Sequence, residues 1–72
     1  MEQRFAIYIL FRDGDEGYFN GLSAYDEIKY TKDNTRCYMA PTHSIALSKA
    51  KWLRREFANI VGRTEIIPFL LY

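Results

Sequence analysis

The sequence predicts an α+β two-layer sandwich, a mostly antiparallel sheet of three to four strands with one amphipathic helix packed on one face, in the order β-β-(β)-β-α-β. Three observations predict it. Short runs rich in β-branched and aromatic residues, bounded by glycine, aspartate and proline, recur along the chain. One stretch, His43 to Val61, spaces its apolar residues by three or four. The length of 72 residues suits a single domain, residues 1–72, with one two-layer core.

Phe5 to Arg12, FAIYILFR, reads as the first strand. Side chains alternate along a strand, so one face carries Phe5, Ile7, Ile9 and Phe11 and the other Ala6, Tyr8, Leu10 and Arg12. Both faces are largely apolar, which belongs in the middle of a sheet or under a partner. Asp13-Gly14-Asp15-Glu16-Gly17 supplies residues that tolerate tight turns and predicts a hairpin into GYFNGL, residues 17–22. Tyr18 and Phe19 must then point to opposite faces, and the Asn20-Gly21 pair is read as the strand running into a turn. In residues 23–35, Ile28 to Thr31 is a candidate short strand before a Lys32-Asp33-Asn34 turn.

Arg36 to Met39 resumes strand character and stops at Ala40-Pro41. Thr42 is the expected N-cap of the helix, with Ser44 the fallback. Ala46, Ala50, Leu53, Phe57 and Ile60 or Val61 form the stripe that faces the core, and Gly62 is expected as a left-handed C-cap. Thr64 to Leu71, TEIIPFLL, reads as a final strand. Pro68 cannot donate a ladder hydrogen bond, which places that strand at a sheet edge or its proline at an edge-facing position.

Composition narrows the function classes. Apolar residues make up 49% and charged residues 26%, the balance of a folded globular chain, and the net charge of +1 marks neither an acidic mimic nor a strongly basic nucleic-acid binder. The longest apolar run, Phe5 to Phe11, is far too short to span a bilayer, and no secretory leader is expected, so the expected location is cytoplasmic and no membrane partner is expected. Cys37 is the only cysteine and His43 the only histidine. An internal disulfide is excluded and no metal-ligand spacing is present, so no metal or cofactor is expected. Cys37 with His43 lacks an orienting group and an oxyanion loop, and glycine-rich phosphate loops are absent from the sequence, so a non-enzymatic role is expected. Asp13, Asp15 and Glu16 lack the glycine and the final carboxylate of a calcium loop and read as a solvated turn.

Six tyrosines and five phenylalanines exceed what one helix can cover on a small sheet. Tyr8 with Tyr18 or Phe19, joined by Tyr38, is a candidate aromatic row on the uncovered face, where rigid rings make effective protein anchors. Trp52 lies about 120° from the centre of the helical core stripe, at the core margin. Its competing readings are interface anchor and flanking core residue. The expected partner contacts are Tyr8, Tyr18, Trp52, Lys51 and Arg55. Lys49, Lys51, Arg54 and Arg55, against the single acid Glu56, form a basic helix face that supports the alternative of a small nucleic-acid-binding regulator. The two apolar faces of the first strand also raise the expectation of a homodimer.

Residues 31–53, TKDNTRCYMAPTHSIALSKAKWL, with the upstream RDGDEGYFNG, resemble small β-rich proteins encoded by phages and other mobile elements. The matching pieces are Gly17-Tyr18, Thr31-Lys32-Asp33, Arg36 to Met39, Thr42 with Ala46 and Ala50, and Ile66-Ile67. The tryptophan often found before the threonine is Tyr30 here. The resemblance implies an accessory protein of host-takeover or anti-defence type, a group that includes anti-CRISPR proteins. It implies binding to a host protein complex in the bacterial cytoplasm and inhibition of that complex by steric occlusion.

Overall fold

The computed structural model describes residues 2–71, and among them are five strands and one helix. They are β1 (Glu2–Phe11), β2 (Glu16–Leu22), β3 (Ile28–Thr31), β4 (Met39–Ala40), α1 (His43–Glu56) and β5 (Val61–Leu71). All strand pairings are antiparallel and one helix packs on the sheet, which is the α+β sandwich that the sequence predicts. A strand apolar on both faces takes the centre: β5 pairs with β1 along its whole length, from Glu2 opposite Leu71 to Phe11 opposite Val61. The other edge of β1 is therefore shared. β4 pairs at Phe5 and Ala6, β2 pairs at Tyr8 to Leu10, and β3 lies beyond β2.

The β1–β2 hairpin closes where glycine permits it. Gly14 has φ of 95°, its amide donates to the Phe11 carbonyl at 3.1 Å, and Phe11 donates to Asp15 at 2.8 Å. Asn20-Gly21 does not end β2. The strand continues to Leu22, and Gly21, with φ of 88°, absorbs a register shift between Phe19 and Leu22. The pair makes a bulge in the strand in place of the expected turn. The chain reverses later, where Ser23 and Glu27 close a loop with Asp26 at φ of 59°.

Residues 36–39 form less strand than expected. Only Met39 and Ala40 enter the sheet, opposite Ala6 and Phe5 of β1, although Tyr38 still donates to the Phe19 carbonyl at 3.0 Å. Thr42 caps the helix as expected, its hydroxyl accepting from the Ile45 amide at 3.1 Å. The other end differs from expectation. The helix stops at Glu56, Phe57 is the C-cap with φ of −120°, and Ile60 and Val61 both donate to the Phe57 carbonyl. Gly62 is already in β5, where its hydrogen takes the place of a Cβ that would stand 3.0 Å from the Leu10 carbonyl oxygen. Pairing with Phe11 draws Val61 into the sheet before the helical spacing runs out, and Ile60 is left exposed.

The core lies between α1 and the odd-numbered face of β1. Ile7, Ile9, Phe11 and Phe19 meet Ala46, Ala50, Leu53 and Val61, with Phe5, Ile28, Tyr38, Trp52, Phe57 and Ile66 around them. Ile7, Ile9 and Leu53 are the largest fully buried side chains. Two small alanines on the inward stripe let the helix come close to the sheet, which is how so short a chain closes its core. Among the described residues no helix is long and apolar enough to cross a membrane.

Candidate interaction surface

The second face of the sheet follows from register. Residues directly opposite in an antiparallel pair share a face, so Tyr8 stands beside Tyr18 and Glu65, Ala6 beside Met39 and Ile67, and Arg4 beside Phe69. The core cluster that holds α1 is built on the opposite side, so this face carries no helix. Ala6 is nevertheless fully buried. Tyr18 lies opposite Tyr8 and Phe69 opposite Arg4, so a contact between the two rings crosses β1 at the level of Ala6. Tyr8 and Tyr18 meet edge to face at 5.1 Å, and Tyr18 reaches Phe69 with centroids 6.2 Å apart. Tyr8, Tyr18, Met39, Ile67 and Phe69 are all half-buried, while Leu10 and Leu71 are exposed.

Charges border this patch at both ends. Glu2 and Arg4 pair at 2.8 Å near one end. At the other, Arg63 pairs with Glu65, and a hollow of about 110 Å³ opens between Tyr8, Leu10, Glu16, Arg63 and Glu65. Partial burial, followed by the neighbouring Glu16 carboxylate, raises the Tyr8 hydroxyl pKa, so the ring stays a neutral donor well into alkaline solution. An apolar centre with a polar rim is the anatomy of a protein-docking patch.

The structure divides the five expected contact residues between two surfaces. Tyr8 and Tyr18 are neighbours on the open face. Lys51 and Arg55 are exposed on the outer side of α1, with Arg55 3.4 Å from Glu56, so they stand on the far side of the molecule from the tyrosines. Trp52 is half-buried against the core, its ring edge-on to Phe57 at 5.8 Å and beneath the Lys49 ammonium at 5.0 Å. That cation–π contact occupies Lys49, while Arg54 is exposed in the last helical turn.

Tyr38, expected in the open row, belongs to the other side. It packs edge-on against Phe19 at 5.6 Å and joins the core. Met39, Ile67 and Phe69 complete the open face and were not among the expected contacts. Alternation within TEIIPFLL separates Ile67 and Phe69 from Ile66 and Pro68, but only the β1–β5 register shows which set meets Tyr18.

The remaining polar candidates are engaged within the fold. Cys37 points its sulfur toward the Asn34 carbonyl at 3.7 Å, and partial burial raises its pKa, opposite to the shift that activates a thiol nucleophile. His43 sets its ring against Phe5 at 5.6 Å. Asp15 accepts from the Tyr30 hydroxyl and from Lys32 Nζ, and these bonds, with the Glu16 amide, lower its pKa to about 2. Among the described residues no group of three or more His, Cys, Asp or Glu side chains is placed to hold a metal ion. Comparison of the chain with protein-family models, curated proteins and solved structures gives no significant match.

Proposed function

We propose that this chain is a non-enzymatic protein-interaction module that docks a partner protein on the open face of its sheet. The observation that carries the reading is the contact row Tyr8, Tyr18 and Phe69 over Ala6, on a face that no helix covers. Aromatic rings fixed by one another lose little side-chain freedom on binding and have large area to bury, which is what anchor residues require. The resemblance to small phage and mobile-element proteins makes a protein complex of a bacterial host the expected partner, and steric occlusion of that complex the expected mechanism, in the host cytoplasm.

The basic side of α1 supports the competing nucleic-acid reading less well, since Lys49 lies over Trp52 and Arg55 stands beside Glu56. The two readings separate in one experiment. A partner captured by the wild-type chain is lost with Tyr18→Ala combined with Phe69→Ala and kept with Lys51→Ala combined with Arg55→Ala, all variants giving native circular dichroism. The opposite pattern, with salt-sensitive binding to labelled DNA or RNA in fluorescence anisotropy, would overturn the docking reading.

A further inference from the structure

We infer that β5 is the seat of a symmetric homodimer, in which the strand pairs antiparallel with β5 of a second copy about a two-fold axis through Thr64. Among the described residues β5 pairs with β1 alone, so one full edge of an eleven-residue strand has no neighbour. Open edges of this length are commonly shortened, bulged or covered. Here the device is Pro68, and it limits the partner's register without closing the whole edge.

Pro68 lies opposite Phe5 in the β1–β5 ladder. Proline has no amide hydrogen, so this cannot be a pair that exchanges both backbone bonds, and it is of the non-hydrogen-bonded kind. The two kinds alternate along an antiparallel ladder. Ile66 opposite Ile7 and Thr64 opposite Ile9 therefore share the parity of Pro68, and the N–H and C=O groups of Thr64 and Ile66 point away from β1. These are the groups a second strand would use. Pro68 removes the next outward donor, and Gly62 lies at the irregularity between the Leu10 and Phe11 pairings, so the usable edge runs from Gly62 to Ile66.

Within that segment the sequence Arg63-Thr64-Glu65 is complementary to itself when reversed. With Thr64 opposite Thr64 of the second copy, each Arg63 faces the other chain's Glu65, in the kind of pair where facing side chains stand closest. Arg63 and Glu65 already pair within one chain, and both are largely exposed. Dimerisation joins two such pairs into a ring of four alternating charges. Shifting the register by two residues about Ile66 would set Arg63 against Phe69 and Glu65 against Ile67, without that match. The pairing uses the strand edge and, of the open face, only Arg63 and Glu65 at its border, so it does not rest on the docking function. It places both open faces on one side of a continuous sheet.

Sedimentation equilibrium tests the inference on the intact chain. The wild type is expected to associate to a dimer as concentration rises, and a chain that stays monomeric up to its solubility limit overturns the proposal. Arg63→Glu sets carboxylates against carboxylates and Glu65→Arg sets guanidiniums against guanidiniums, so each variant alone should weaken association about tenfold. An equimolar mixture of the two should recover it as a heterodimer, although neither chain retains its internal ion pair. Failure of the mixture to recover overturns the register. In a Cys37→Ser background, Thr64→Cys should oxidise to a disulfide-linked dimer because the axis brings position 64 against itself, whereas Ile66→Cys should not. Linkage through position 66 in preference to 64 overturns the proposed axis.

Discussion

The two faces of the sheet are built from the same central strand and differ in what covers them. On one face Ile7 and Ile9 are sealed by Ala46, Ala50 and Leu53 of the helix. On the other, Ala6 is sealed only by side chains of the sheet itself, with Tyr8, Tyr18 and Phe69 leaning on one another and each remaining half-exposed. The difference teaches that burial of a residue does not identify the face that a helix covers. Small helical residues bring a second layer down onto branched aliphatics, whereas aromatics around an alanine make a shallow, self-supported layer that keeps area for a partner.

The largest expected effect lies on the covered face. Leu53→Ala should lower stability by about 2–5 kcal/mol, because Leu53 is fully enclosed and its loss leaves a cavity. Urea denaturation measures it, and a cost under about 1 kcal/mol would mean that the helix does not seal this face. Gly17→Ala comes next. Gly17 shares the covered face with Ile9, and an added Cβ would stand 2.6 Å from Tyr30 Cδ2 and 3.1 Å from the Thr31 carbonyl oxygen. The expected cost is about 1–3 kcal/mol by the same measurement. Because Asp15 fixes the Tyr30 ring, the variant should also release the Tyr30 hydroxyl, visible as a fall of its raised pKa in ultraviolet titration.

On the open face, Tyr18→Ala should cost only about 1 kcal/mol, the scale of the aromatic contacts that it removes. A loss as large as that of Leu53→Ala would erase the contrast between the faces. The smallest effect concerns the hairpin that joins them. Asp15 in the folded chain titrates at about 2, below its ordinary 3.8. Its contribution is therefore present above about pH 4 and lost as the pH falls toward about 2. Asp15→Asn should flatten that part of the stability profile, measured by denaturation across the same window. An unchanged acid slope would show that the Tyr30 and Lys32 bonds to Asp15 do not bias folding.

Much of this arrangement was legible in the sequence because it depends on period alone. Alternation in FAIYILFR predicts a central strand apolar on both sides, Thr42 predicts the helix start, and Pro68 predicts an edge strand. The helix end and the second half of the open face were not legible, and for a common reason. Gly62 carries the local signal of a helix cap, but it sits in β5 beside the Leu10 carbonyl because Val61 pairs with Phe11, fifty residues earlier in the chain. Phe69 meets Tyr18 only through the registers of two strands on β1, which no local pattern encodes. Asn20-Gly21 likewise has the composition of a turn, yet continued pairing of Leu22 with Ile28 keeps β2 in the sheet.

The dependence of the whole sheet on β1 also fixes an order of events during synthesis. β1 is made first, and β5, which covers one of its edges from Glu2 to Phe11, is made last. Until residues 61–71 leave the ribosome, Ile7, Ile9 and their neighbours can neither complete the sheet nor hold the helix firmly against it. Contacts between chain ends separated by nearly the full length of the domain are slow to close. The nascent chain thus carries an apolar strand open along one edge from the time β1 emerges until β5 does, and that interval, more than the finished fold, is where a chaperone or an aggregating neighbour would find it.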